Sequence, residues 1–203
     1  MEVKLIIFLI IAYFMGSIPT GVVIGKKFKG IDIREHGSKN TGATNAYRVL
    51  GLQYGIIVLL SDALKGYLPV FLASLAGLVG WQLILVGLVT IVGHTLSIFL
   101  KFKGGKGVAT SLGVFIYLVP NIVLILLVVF LLIAFSTKYV SLASVSAAGL
   151  FPILVLFMPV REGLGKWNMF GFALVIALFV IFKHRSNIQR LLHGNENKFG
   201  AKK

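Results

Sequence analysis

Six apolar runs, at about residues 5–24, 52–75, 80–100, 108–135, 140–160 and 170–182, occupy most of the chain and hold only two formal charges, Asp62 and Lys65. Runs of this length and polarity fold as membrane-spanning α-helices, because hydrocarbon offers backbone N–H and C=O groups no partner outside their own segment. The expected fold class is therefore all-α, a polytopic membrane helical bundle. The charge of the whole chain is strongly one-sided: 20 Lys and Arg against 6 Asp and Glu, a net +14, in a chain that is 58% hydrophobic with a mean hydropathy of +0.96. A charge within the bilayer costs at least ~3 kcal/mol, so these cations collect at span ends and report topology, not a nucleic-acid partner.

The first run is too long for a signal-peptide core and lacks a small-residue cleavage site, so it is read as a retained span, bent at Pro19 between Gly16 and Gly21. Six crossings would put the first polar loop and the C-terminal tail on opposite faces, yet both are rich in Lys and Arg. An odd count resolves the conflict. The 108–135 run would make a helix of ~42 Å against a hydrocarbon core of ~30 Å and contains Pro120, so it splits into about 108–119 and 121–135. That predicts seven transmembrane segments, the fourth of them, 108–119, too short to span unaided and read alternatively as a re-entrant half-helix, with the N-terminus outside and the C-terminus cytoplasmic. There is no internal repeat, Pro-rich or Ser-rich linker or separate soluble region, which predicts a single domain over residues 1–203.

Three polar stretches interrupt the apolar chain. GSKNTGATNAYR (37–48) concentrates hydroxyls and amides, Ser38, Asn40, Thr41, Thr44 and Asn45, around Gly42, and ends in Arg48, whose planar fork suits a phosphate or carboxylate. The bland alternative is a polar loop in which Thr44 or Asn45 caps a short helix from Ala46. KFKGGKGVAT (101–110) carries Gly104, Gly105 and Gly107 around Lys106 and runs into a helix start, a pattern suited to a phosphate approached by backbone N–H groups and a point charge. It is not a Walker A loop, since Gly107 stands where Ser or Thr should hold magnesium; as a lone motif it is equally a positive-inside loop with glycine turns. KHRSNIQRLLHGNENK (183–198) sets His184 and Asn187 on one helical face beside Arg185 and Arg190, which is also how basic residues capping a last span look.

Of the smaller features, Ser141 and Ser144 offer hydroxyls near one span's start, Asp62 and Lys65 are expected to neutralise each other on a buried face, and His94 is placed to orient the neighbouring loop. No cysteine is present, and His36, His94, His184 and His193 show no metal-ligand spacing, so neither a metal nor a cofactor is expected.

Over nearly its whole length the chain resembles the bacterial acyl-phosphate:glycerol-3-phosphate acyltransferases, the PlsY family. The resemblance lies in GSIPTG (16–21), DIRE with GSKNTGATN and Arg48, Gly93-His94 leading into FKGGKGVAT, VSLAS (140–144) and HRSNIQRLLHGNE (184–196), in that order. Lys39 stands where glycine is usual and Ser97 where proline is usual.

The resemblance implies acyl transfer from acyl phosphate to the 1-hydroxyl of glycerol 3-phosphate, giving lysophosphatidic acid and phosphate at the cytoplasmic face of a bacterial plasma membrane, with membrane lipids as surroundings. It implies catalytic roles for Lys106, Ser144, His184 and Asn187. Phosphate and substrate contacts are implied for Ser38, Asn40, Gly42, Thr44, Asn45, Arg48, Gly104, Gly105, Gly107, Thr110 and Arg185. The H-x-x-x-x-D motif of other glycerolipid acyltransferases is absent, as are cysteine and G-x-S-x-G, so direct attack without an acyl-enzyme is expected, with His184 or the substrate's own phosphate as base. The alternative from another class is a transporter of phosphorylated anions built on broken helices at Pro19 and Pro120.

Overall fold

The computed structural model describes residues 2–200, which form ten α-helices and one 3-10 turn. The chain divides into two compact units, Met1–Leu118 and Val119–Lys203.

In the first unit, α1 (Glu2–Ser17) and α2 (Thr20–Lys29) form one membrane segment bent by 40°. The bend sits at a proline: Pro19 lacks an N–H and disfavours helical geometry at the residue before it, and Ile18 belongs to neither helix. The chain then passes through the first polar loop into α3 (Ala43–Leu50), crosses in α4 (Leu52–Leu75) and returns in α5 (Trp81–Thr95) with the 3-10 turn Ile98–Leu100. It closes in α6 (Val108–Leu118), which is apolar but short. Helix α1 packs on α5 and α4 on α6. These pairs meet through glycine: Gly16 lies on the Thr90 carbonyl and Gly113 on that of Ala63, each so closely that a Cβ would collide. Small residues do this work in membranes, where apolar contact alone gives helices no preference for each other over lipid.

The first polar loop is fastened from below. Ile33, fully buried, enters a core of Val22, Ile24, Ala46, Leu50, Val58 and Leu100, so an apolar side chain pins an otherwise polar segment.

In the second unit, α7 (Pro120–Thr137), α8 (Val140–Phe157) and α9 (Lys166–Lys183) are three long apolar helices with α8 packed against both others, followed by α10 (Arg185–Leu192). Pro120 occupies the first helical position of α7, where its missing N–H is harmless, and the non-helical Val119 separates α7 from α6. The split of the 108–135 run at Pro120 and the bend at Pro19 are thus both present. Five long helices, the bent pair and the short α6 account for the seven expected segments. The expected edges move by a few residues: the first segment runs on to Lys29, α8 ends at Phe157, and α9 begins at Lys166.

Candidate active site

Asn45 organises the first polar loop. It is 1% exposed and spends its side-chain NH2 on the carbonyls of Ile33 (2.7 Å), Asn40 (2.8 Å) and His36 (3.2 Å), while its Oδ1 accepts the Ser38 N–H at 2.7 Å. Asn40 Oδ1 accepts the Gly42 N–H at 2.9 Å, an Asx turn leading into α3. Gly42 is the N-cap residue of α3, with no side-chain cap, so the alternative in which Thr44 or Asn45 merely caps a helix from Ala46 does not hold: the helix begins three residues earlier. Gly37 sits against Asn45 with φ +60°, and Lys39, where the family resemblance expects glycine, adopts φ 57°, a left-handed conformation that glycine takes more readily. Ser38 is exposed and Arg48 and Thr44 are half-buried. At the loop's base Arg34 chelates Asp32 at 2.9 and 2.6 Å, which holds the Asp32 carboxyl well below the usual carboxylate range.

The glycine loop lies on the C-terminal end of α5. Gly104 N–H donates to the Thr95 carbonyl at 3.1 Å and Gly105 N–H to that of His94 at 3.2 Å. This corrects the expectation that both amides reach a bound anion: they satisfy orphan carbonyls at a helix end, and the glycines are needed for close approach. A Cβ at Gly104 would strike the His94 carbonyl, and one at Gly105 would strike the His94 ring while standing 3.0 Å from Thr41 Oγ1. Gly107, with φ +84°, turns the chain into α6, whose opening N–H groups carry the positive end of the helix dipole beside half-buried Lys106. Thr110 is fully buried where α6 meets Gly66 of α4.

Beneath the two loops lies a charged cluster at the α1–α2 break. Asp62 Oδ1 accepts from Thr20 Oγ1 (2.5 Å), lies 2.8 Å from Lys65 Nζ and 3.7 Å from His94 Nδ1. Lys65 Nζ also donates to the Ile18 carbonyl at 2.6 Å. Mutual neutralisation of Asp62 and Lys65 and contact of His94 with the glycine loop are both seen. Ser97, at the position where proline is usual, donates to the Ser17 carbonyl at 2.6 Å.

The second unit holds the remaining residues. His184, 4% exposed, joins α9 to α10 with Nδ1 2.8 Å from the Val180 carbonyl. A carbonyl only accepts, so Nδ1 carries the proton and Nε2 is the acceptor in the neutral ring. Asn187 Nδ2 donates to Glu196 Oε1 at 2.7 Å, Ser141 Oγ donates to the same oxygen at 3.0 Å, and Arg190 Nε lies 2.7 Å from Oε2. Glu196 is thus a buried acid with three donors, held in place because Phe199 N–H bonds the Lys138 carbonyl at 2.7 Å and anchors the tail to the α7–α8 turn. Sequence reasoning passed over it, although one of only six acids inside a basic stretch is a signal. Ser144 Oγ donates to Val140 O of its own helix at 2.8 Å, and exposed Arg185 lies over the Phe182 ring at 4.6 Å.

Fold and site define a polytopic helical membrane protein whose polar side chains gather at loop–helix junctions. The glycerol-3-phosphate acyltransferase family model matches residues 6–194. The glycerol-3-phosphate acyltransferase of Fusobacterium nucleatum is 55% identical over 192 residues, 95% of this chain and 96% of that protein, and that of Trichlorobacter lovleyi is 48% identical over 190 residues, 94% and 95%. Among solved structures, PlsY, an integral membrane glycerol 3-phosphate acyltransferase, matches in its glycerol 3-phosphate form with TM-score 0.87 and 42% identity over 97% of this chain and 96% of that one. Its lysophosphatidic acid form matches with TM-score 0.84 and 41% identity, over 97% and 95%. This chain belongs to the glycerol-3-phosphate acyltransferase family.

Proposed function

We propose that this protein transfers a fatty acyl group from acyl phosphate to the 1-hydroxyl of glycerol 3-phosphate, releasing lysophosphatidic acid and inorganic phosphate. The observation that carries this is end-to-end membership of the family, with relatives named glycerol-3-phosphate acyltransferase and a 42% identical structure described in a glycerol 3-phosphate form. Acyl phosphate as donor is favoured by the chain's own chemistry. A mixed anhydride is already activated, and a chain with no cysteine supplies no thiol for an acyl-enzyme. Residues 1–203 work as one acyltransferase domain, in the bacterial plasma membrane with the polar loops cytoplasmic, as the Lys and Arg distribution favours.

In this mechanism the glycerol oxygen attacks the acyl carbonyl, the bond from acyl carbon to phosphate oxygen breaks, and phosphate leaves with the electron pair. Lys106, supported by Gly107 and the opening turn of α6, neutralises charge gathering on the leaving phosphate. Arg48 and Ser38 seat phosphate oxygens, on a loop whose shape Asn45 and Asn40 maintain. Asn187 and His184 align glycerol 3-phosphate. The neutral His184 presents Nε2 as an acceptor and receives the hydroxyl proton, with the substrate's own phosphate as the competing acceptor. Ser144, released from Val140, donates to the reacting carbonyl, and Arg185, Thr44 and Thr110 support the substrate-bearing loops.

The test is incubation of detergent-purified protein with glycerol 3-phosphate and either palmitoyl phosphate or palmitoyl-CoA, following lysophosphatidic acid and free phosphate. Product from the acyl phosphate alone, lost in Lys106→Ala, is expected; product from the thioester would overturn the donor assignment.

A further inference from the structure

A carboxylate and an ammonium inside a membrane helix are expensive to retain, and an apolar pair of the same size usually packs at lower cost. Asp62 and Lys65 are nevertheless kept in α4, 1% and 6% exposed, and their partners are not on α4 alone. Lys65 holds the Ile18 carbonyl and Asp62 holds Thr20, the two sides of the α1–α2 break. From α2 the order passes to the first loop, since Gly21 lies directly on the Thr41 backbone. From Asp62 it also passes to His94, whose carbonyl binds the Gly105 N–H and whose ring abuts Gly105. Gly105 is therefore clasped between the His94 ring and Thr41 Oγ1, and both of these lean on the charged cluster. A cavity lined by Thr20, Thr41, Asp62, Lys65 and His94, with ≈ 10 Å³ of room, separates the cluster from the loops and is no larger than about one water requires.

We propose that Asp62, Lys65 and His94 form a positioning device that sets the placement of the glycine loop from inside the membrane without touching substrate. The kinetic part of this rests on the acyltransferase reading; the structural part does not. In a folded Asp62→Asn/Lys65→Met double variant no unpaired charge is left behind, so a purely neutralising role predicts parental behaviour throughout. A positioning role predicts a loosened loop.

The chain has no cysteine, so a nitroxide on Lys103→Cys, an exposed position beside the glycines, reports loop mobility by electron paramagnetic resonance with no substrate present. The expected result is a narrowed, mobile spectrum in the double variant and in His94→Gln, which leaves the ion pair intact. With it comes a kcat with acyl phosphate lowered about 10- to 100-fold with the KM for glycerol 3-phosphate within about threefold of the parent. A parental spectrum in folded His94→Gln, or in a folded double variant, would overturn the proposal. Loop mobilisation in a protein whose parent makes no product would sustain the positioning device and sink the acyltransferase reading instead.

Discussion

Asn187 donates its side-chain amide to Glu196 Oε1 at 2.7 Å, and that same oxygen also receives the Ser141 hydroxyl at 3.0 Å. The carboxylate thereby joins α8, α10 and the tail of the second unit, and it fixes Asn187 with its amide nitrogen turned toward Glu196.

Glu196→Ala should leave Asn187 and Ser141, both buried, without their acceptor. Each lost partner costs about 1–3 kcal/mol. Thermal unfolding in detergent should show a clear drop for Glu196→Ala and a smaller one for Glu196→Gln, which keeps an acceptor oxygen. Equal stability of parent and Glu196→Ala would contradict the hub role.

Asn45→Ala removes the NH2 that serves three carbonyls, and the oxygen that accepts the Ser38 N–H, from a tightly packed loop interior. Asn45→Asp restores the acceptor for Ser38 N–H but turns a second oxygen, and a charge, toward the carbonyls. Both should destabilise by about 2–4 kcal/mol, with Asn45→Asp no better than Asn45→Ala at neutral pH. Denaturant titration followed by tryptophan fluorescence measures the difference; rescue by Asn45→Asp would show that the single bond to Ser38 dominates.

Lys106→Ala removes the point charge from the glycine loop without touching the packing of Gly104 and Gly105. Turnover with acyl phosphate should fall by at least about 100-fold while the melting temperature stays within a few degrees of the parent. A fall in turnover of less than about tenfold would mean that the opening turn of α6 carries the leaving phosphate unaided.

The Asp32 carboxyl is depressed by its pairing with Arg34, so its contribution to stability is fully present above the ordinary aspartate value of about 4 and is lost only as pH falls through the depressed folded value. The gap in melting temperature between parent and Asp32→Asn should be constant from pH 7 to about 5 and close below pH 4. Its size should be small, since the pair is largely solvent-screened. A gap that widens on acidification would reverse the sign and refute the pairing.

A cysteine placed at Thr137, at the end of α7, should react with a membrane-impermeant maleimide only from the cytoplasmic side of oriented vesicles. Reaction from the other side would contradict the odd number of crossings.

Apolar run length determined the helical class, because hydrocarbon requires helices, and Pro19 and Pro120 marked the bend after Ile18 and the division between α6 and α7, whereas Pro69 and Pro152 lie inside α4 and α8. The three polar stretches were legible for the same reason: polar residues crowd wherever the chain leaves the bilayer. Partnership was not legible. Glycine next to glycine reads equally as an anion cradle or as a close-packing surface, and only the His94 and Thr95 carbonyls lying beneath Gly104 and Gly105 decided for packing. Nor did spacing connect Asp62 with Thr20 or Asn187 with Glu196, since each bond joins segments whose meeting depends on how helices and tail fold back. Local sequence sets what a segment must be; which orphan carbonyl or buried charge a side chain satisfies is settled only when the backbones have closed to contact distance.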